Sequence, residues 1–215
     1  MACFPGFDPN QPNQSEAKAR RNRVIADEYE PGSTFKVVTM SGALDAGVVT
    51  MEDRMDCERG RFKYRGISLG DVHPNSILSV EQVLVKSSNI GAAKVGIRMG
   101  EGLLYRSITN FGIGRPTGIP LPGERWGTLR PTNRWSKISV AWIPMGHEVA
   151  ATPLQMTMAV AAVANGGRLM RPQIVRRIED DGGRPVQLSE PVMERQAIRA
   201  ETSEKMRQAL VLAVK

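Results

Sequence analysis

Apolar residues in this chain gather into a few runs that fit helices, separated by polar and Gly/Pro-rich stretches. Val37, Val38, Met40, Ala43, Leu44 and Ala46 form one such run, and Gly47 ends it as a C-terminal cap. A second, Val80–Val85, opens with Ser79 and Gln82 in capping-box spacing and gives way to Gly91. Residues 101–111 predict a short helix whose apolar side carries Leu103, Leu104, Ile108 and Phe111. The clearest helix covers 152–164, with Thr152 as N-cap, Pro153 at the first position and Gln155 as capping partner, and Asn165-Gly166-Gly167 stops it. Its interior from Met156 onward is apolar on nearly every face, so it is expected to be packed all round. Residues 201–214 predict an amphipathic helix with Met206, Leu210 and Val211 or Val214 on one side. Residues 173–179 and Pro185–Leu188, joined through Asp180-Asp181-Gly182-Gly183, read as a hairpin. Residues 116–133, with four prolines and three glycines, form a long irregular connection.

Composition changes this picture little. At 215 residues and 41% hydrophobic content the chain suits one sizeable core. No stretch approaches the roughly 20 apolar residues that span a bilayer, and residues 1–10 lack the basic start and apolar centre of a signal peptide. The net charge of +7 invites a nucleic-acid reading, but only Lys18, Arg20, Arg21 and Arg23 are clustered, and the aromatic residues do not interleave with basic ones. A solvated basic face is the reading adopted over weak attraction to an anionic polymer, with no nucleic acid as partner. His73 and His147 each stand apart from other ligand-type residues, so no metal or cofactor is proposed. Cys3 and Cys57 can pair or stay reduced; two cysteines make no disulfide framework.

The chemistry is concentrated in two short motifs. In Ser33-Thr34-Phe35-Lys36 a hydroxyl and an amine stand three residues apart, which on a helix puts both on one face within hydrogen-bond reach. Serine needs a neighbouring acceptor for its proton, and a neutral lysine can serve. The pattern S-x-x-K is a signature of penicillin-interacting serine enzymes. A second copy, Ser15-Glu16-Ala17-Lys18, lies in a polar stretch with nothing to bury its lysine and reads as chance. Ser87-Ser88-Asn89 is the only S-x-N in the chain; on their own Ser87 and Asn89 also suit a helix C-terminal turn.

In that order, with Phe7-Asp8-Pro9-Asn10, Asn22-Arg23, Phe111-Gly112-Ile113-Gly114, Thr117-Gly118, Gly146-His147, Thr152-Pro153-Leu154-Gln155, Asn165-Gly166-Gly167 and Pro172, the motifs resemble the transpeptidase domain of class B penicillin-binding proteins. The resemblance covers essentially the whole chain, and Asn89 in the third S-x-N position looks like the division-type enzymes. It implies an α+β fold of the serine β-lactamase-like kind, here mostly helical with an incomplete antiparallel sheet. It also implies an enzyme that cross-links peptidoglycan stem peptides ending in D-Ala-D-Ala through a serine acyl-enzyme and is inhibited by β-lactams. By the same resemblance Ser33 is the nucleophile, Lys36 takes its proton, Ser87 relays a proton to the leaving amine and Asn89 holds the substrate amide or the lysine. The implied partners are a membrane glycosyltransferase and division proteins, and the implied place is the outer face of the bacterial membrane, with the anchor outside this chain.

The family's K-[ST]-G triplet is missing from the sequence. The expectation is therefore that residues 1–215 are one partial domain, cut before that triplet and also near Met1, where the family has a strand. Holding Lys36 half-neutral at pH 7 requires its pKa to fall by about 3.4, roughly 4.6 kcal/mol. Burial against Phe35, Val37 and the Val80–Val85 helix is expected to supply most of this, with help from the helix dipole. A missing sheet is expected to wet the site, restore the proton and leave the chain slow to acylate and prone to aggregate. A β-lactam-hydrolysing or β-lactam-sensing protein of the same fold, or a non-catalytic interaction module, are the alternatives.

Overall fold

The computed structural model describes residues 3–214; Met1, Ala2 and Lys215, and with them the expected cut ends, lie outside the described residues. The helices are α1 (Ala17–Arg20), α2 (Arg23–Ala26), α3 (Lys36–Asp45), α4 (Val80–Val85), α5 (Asn89–Asn110), α6 (Ser139–Trp142), α7 (Pro153–Ala164) and α8 (Ala200–Ala213). The strands pair two by two, all antiparallel: β1 (Arg54–Asp56) with β4 (Ile77–Ser79), β2 (Arg61–Tyr64) with β3 (Ile67–Gly70), β5 (Thr128–Leu129) with β6 (Val149–Ala150), β7 (Arg168–Met170) with β10 (Met193–Gln196), and β8 (Arg177–Glu179) with β9 (Pro185–Leu188). No sheet among the described residues is wider than two strands.

Helix α3 is the centre of the molecule. Val38, Thr39, Met40, Ser41, Gly42, Ala43 and Leu44 are all buried, because α4, α5, α7 and α8 pack around it. Two glycines set the helix spacings. A Cβ on Gly42 would come within 2.2 Å of Ser107 Oγ on α5, and one on Gly96 within 2.1 Å of Pro144 Cγ and 2.5 Å of the Val140 carbonyl oxygen. Both capping boxes form as expected, Ser79 with Gln82 and Thr152 with Gln155. Gln155 does more than cap: its Nε2 donates to the carbonyls of Arg115 (2.8 Å) and Trp126 (2.7 Å), tying the irregular 116–133 connection to α7.

The structure corrects three expectations. Helix α5 runs 22 residues, broken in the middle by Gly100 at φ 68, whereas the apolar pattern predicts only its second half. Its first half hides because Gly91 and Gly96 replace apolar side chains where other elements come close; a Cβ on Gly91 would lie 2.4 Å from Val83. Helix α7 is not packed all round, since Thr157, Val160, Ala161 and Ala164 face solvent. Helix α8 buries Thr202, Ser203, Met206 and Ala209, leaves Leu210 half-buried and turns Val211 and Val214 outward. Its hydroxyls explain the rotation: Ser203 Oγ donates to the Val163 carbonyl (2.6 Å) and Thr202 Oγ1 to Asp45 (2.8 Å), so the polar small residues are the ones that meet α7 and α3. No described helix is long and apolar enough to cross a membrane. Cys3 and Cys57 are both free.

Candidate active site

The turn that carries Ser33 begins with Pro31 and with Gly32 at φ 57, a left-handed conformation that glycine adopts without strain. Gly32–Phe35 is a 3₁₀ turn that runs directly into α3, of which Lys36 is the first residue. In a 3₁₀ turn residues three apart eclipse one another, and Lys36 Nζ stands 3.0 Å from Ser33 Oγ. Ser33 is exposed while Lys36 is only 1% accessible, so the hydroxyl faces solvent and the amine is shielded from it.

The S-x-N residues close the site from the α4–α5 junction. Lys36 Nζ lies 2.7 Å from the Ser87 carbonyl oxygen, 3.0 Å from Ser87 Oγ and 2.8 Å from Asn89 Oδ1. All four predicted residues thus meet at one amine. Ser87 sits at φ 54, uncommon for a residue with a side chain, and Asn89 is the first residue of α5 rather than part of a C-terminal turn. The Asn89 amide is oriented by its Nδ2, which donates to the Gly70 carbonyl (3.1 Å) and so turns Oδ1 to the lysine.

This arrangement suits both protonation states. The Ser87 carbonyl and Asn89 Oδ1 can only accept, whereas the two hydroxyls can also donate. A neutral Lys36 gives its two protons to the two carbonyls and keeps its lone pair for a hydroxyl. As an ammonium it has three protons for four oxygens. Burial pushes the Lys36 pKa down to about 8, partly opposed by the Asp71 carboxylate. The expected wetting of the lysine is not found.

Sequence reasoning missed Asp71. It follows β3 and caps α5: Oδ1 accepts from the N–H groups of Asn89 (2.6 Å) and Ile90 (3.0 Å), and Oδ2 from Ser88 Oγ (2.7 Å), which itself caps Gly91 (3.0 Å). Its only sequence signal is an acid close after a short strand, sixteen residues from the motif it supports. Cys57, 3.4 Å behind Ser88, is buried in the same corner, and burial pushes its thiol pKa up.

A family model for the penicillin-binding protein transpeptidase domain matches residues 1–215. The chain belongs to this family. Stage V sporulation protein D of Bacillus subtilis is 33% identical over 98% of the chain and 33% of its own length, and the peptidoglycan D,D-transpeptidase FtsI of Escherichia coli K12 is 34% identical over 83% and 30%. The chain therefore spans about a third of these curated relatives. Among solved structures, the transpeptidase domain of Burkholderia pseudomallei penicillin-binding protein 3 superposes with a TM-score of 0.81 at 31% identity, covering 91% of this chain and 56% of that one. A ceftriaxone acyl-enzyme complex of penicillin-binding protein A from Mycobacterium tuberculosis gives 0.87 at 26%, covering 98% and 52%. The fold of the penicillin-binding transpeptidases is thus shared by this chain.

Proposed function

We propose that residues 1–215 are one partial transpeptidase domain whose protein cross-links peptidoglycan stem peptides through an acyl group on Ser33. The observation that carries this reading is the convergence of Ser33, Ser87 and Asn89 on the buried Lys36 amine. Ser33 Oγ attacks the carbonyl of the penultimate D-alanine and its proton passes to Lys36. The C–N bond then breaks, Ser87 hands a proton to the departing D-alanine amine, and an ester remains on Ser33. An amine of a neighbouring strand attacks that ester and restores the serine. Asn89, held by Gly70, steadies the lysine, and the Ser33 N–H supplies part of the oxyanion site. A β-lactam stops at the ester. We assign this work to septal synthesis, beside a membrane glycosyltransferase and division proteins on the outer face of the membrane, on the strength of Asn89 in the motif; the FtsI relative is named a peptidoglycan D,D-transpeptidase.

The test is covalent labelling of the chain by a fluorescent penicillin, with the site located by peptide mass. Label on Ser33, absent from Ser33→Ala, is the expected result. Label elsewhere, or none at pH 8, would sink the reading, and steady turnover of a chromogenic cephalosporin would move the protein to the hydrolases.

A further inference from the structure

The turn that presents Ser33 is gripped from outside by a segment more than a hundred residues away. Tyr29 and Ala151 exchange backbone hydrogen bonds (3.1 and 3.0 Å), and the Gly32 N–H donates to the Gly146 carbonyl (3.3 Å). Gly146 is left-handed at φ 83, and a Cβ there would fall 2.3 Å from the Gly32 carbonyl oxygen and 2.5 Å from its nitrogen. The two backbones therefore touch with no room for a side chain.

Glu30 joins them from the side. Its Oε2 lies 2.9 Å from His147 Nδ1, and its Oε1 accepts the Glu148 N–H at 2.9 Å. The His147 ring is in turn set edge-on against Trp142, with centroids 5.3 Å apart. Glu148 sits at φ 58, a conformation costly for a side-chain residue, and Glu30 accepts the N–H of that residue. The Glu148 carboxylate points elsewhere, accepting from Ser139 Oγ (2.6 Å) and pairing with Arg130 (3.3 Å). The His147 and Glu148 bonds hold the Glu30 carboxyl below its usual pKa. Sequence alone leaves His147 apart from other ligand-type residues and gives Glu30 no role.

We propose that His147 is a positioning residue for Ser33: by donating from Nδ1 to Glu30 it fixes the Gly32–Gly146 contact and so the height and angle of the 3₁₀ turn that carries the nucleophile. The step from clamp to reactivity rests on the acylation reading given above. A small misplacement of a reacting group lowers rate steeply, because orientation supplies much of the acceleration.

The experiment compares the chain with its His147→Ala and His147→Asn variants, the latter offering a neutral side-chain N–H where the ring Nδ1–H stood. Amide hydrogen exchange is followed at Gly32 and Glu148, with the buried amides of α5 as the internal standard of folding, and penicillin labelling of Ser33 is timed at pH 8. Loss of one bond between half-exposed partners predicts about two- to fivefold faster exchange at both amides and about two- to fivefold slower labelling in His147→Ala, both largely restored in His147→Asn. Exchange in His147→Ala equal to wild type overturns the proposal, as does an Asn variant no better than the Ala one. Should His147→Ala disturb α5, Glu30→Gln, which keeps an acceptor for Glu148 without the charge, carries the same comparison with the same outcomes. A wild-type chain with protected Gly32 and Glu148 amides that never labels Ser33 would strike the transpeptidase reading and leave the clamp standing.

Discussion

Lys36 concentrates the chemistry in a single proton. With its pKa near 8, roughly a tenth of the molecules hold the amine neutral at pH 7. Labelling of Ser33 should therefore rise about tenfold per unit from pH 6 to near 8 and then level, and a flat profile over that range would show that the amine is not the base. Stability should carry the same mark. The folded-state pKa lies below the unfolded value of 10.5, so between about 8 and 10.5 the unfolded chain binds more protons and the contribution of Lys36 rises with pH. Lys36→Met removes that rise, so wild-type stability should gain on the variant across this window in urea titrations. The spacing of Ser33 and Lys36 was readable from the letters, since three residues is one 3₁₀ turn. The fall of the pKa through burial was expected as well; the opposing Asp71 carboxylate was not, because only the fold brings the residue after β3 to this amine.

At the level of elements, the start of α5 is where motif and fold meet. Asp71 accepts two backbone N–H groups and a hydroxyl there, and leaving buried donors unsatisfied costs about 1–3 kcal/mol. Asp71→Ala should lower stability by that amount and slow Ser33 labelling as well, because the same turn holds Ser87 and Asn89; a variant that loses stability but labels at the normal rate would separate the cap from the site. Gly96 tests the helix crossing. Alanine is the better helix former by about 1 kcal/mol, yet a Cβ would meet the Val140 carbonyl at 2.5 Å, and that oxygen belongs to backbone. Overpacking at about 1–3 kcal/mol should win, so the denaturation midpoint of Gly96→Ala is expected to fall. The capping boxes of α4 and α7 were legible because their signals are local. The first half of α5 was not, because its glycines answer to neighbours rather than to a hydrophobic period.

Taken whole, the molecule pairs one continuous core around α3 with apolar surface left bare. Val160 on α7, Val211, Leu212 and Val214 on α8, and Ile174, Val175, Val186 and Leu188 around the β8–β9 hairpin are all exposed. Exposed apolar groups of this extent favour association. The chain is expected to self-associate with rising concentration in sedimentation velocity, and Val160→Lys to weaken this while leaving the unfolding midpoint within about 0.5 kcal/mol, as exposed substitutions do. A sample that stays monomeric throughout would refute the expectation. The basic stretch that invited a nucleic-acid reading is engaged locally, with Lys18 paired to Glu16 and Arg21 to Asp27.

The sequence by itself determined the family and singled out Ser33, Lys36, Ser87 and Asn89 as candidates for one site, since each rests on short spacings or on ordered motifs that survive without coordinates. It also determined the helices whose ends carry caps. Only the tertiary structure decided that four residues from two distant segments share one buried amine, that Asp71 holds the second segment in place, and that Glu30 and His147 grip the turn beneath Ser33. The contacts between segments join residues from 17 to 117 positions apart. No local pattern encodes them, because they exist only once α3, α4, α5 and the Gly146 turn have packed together.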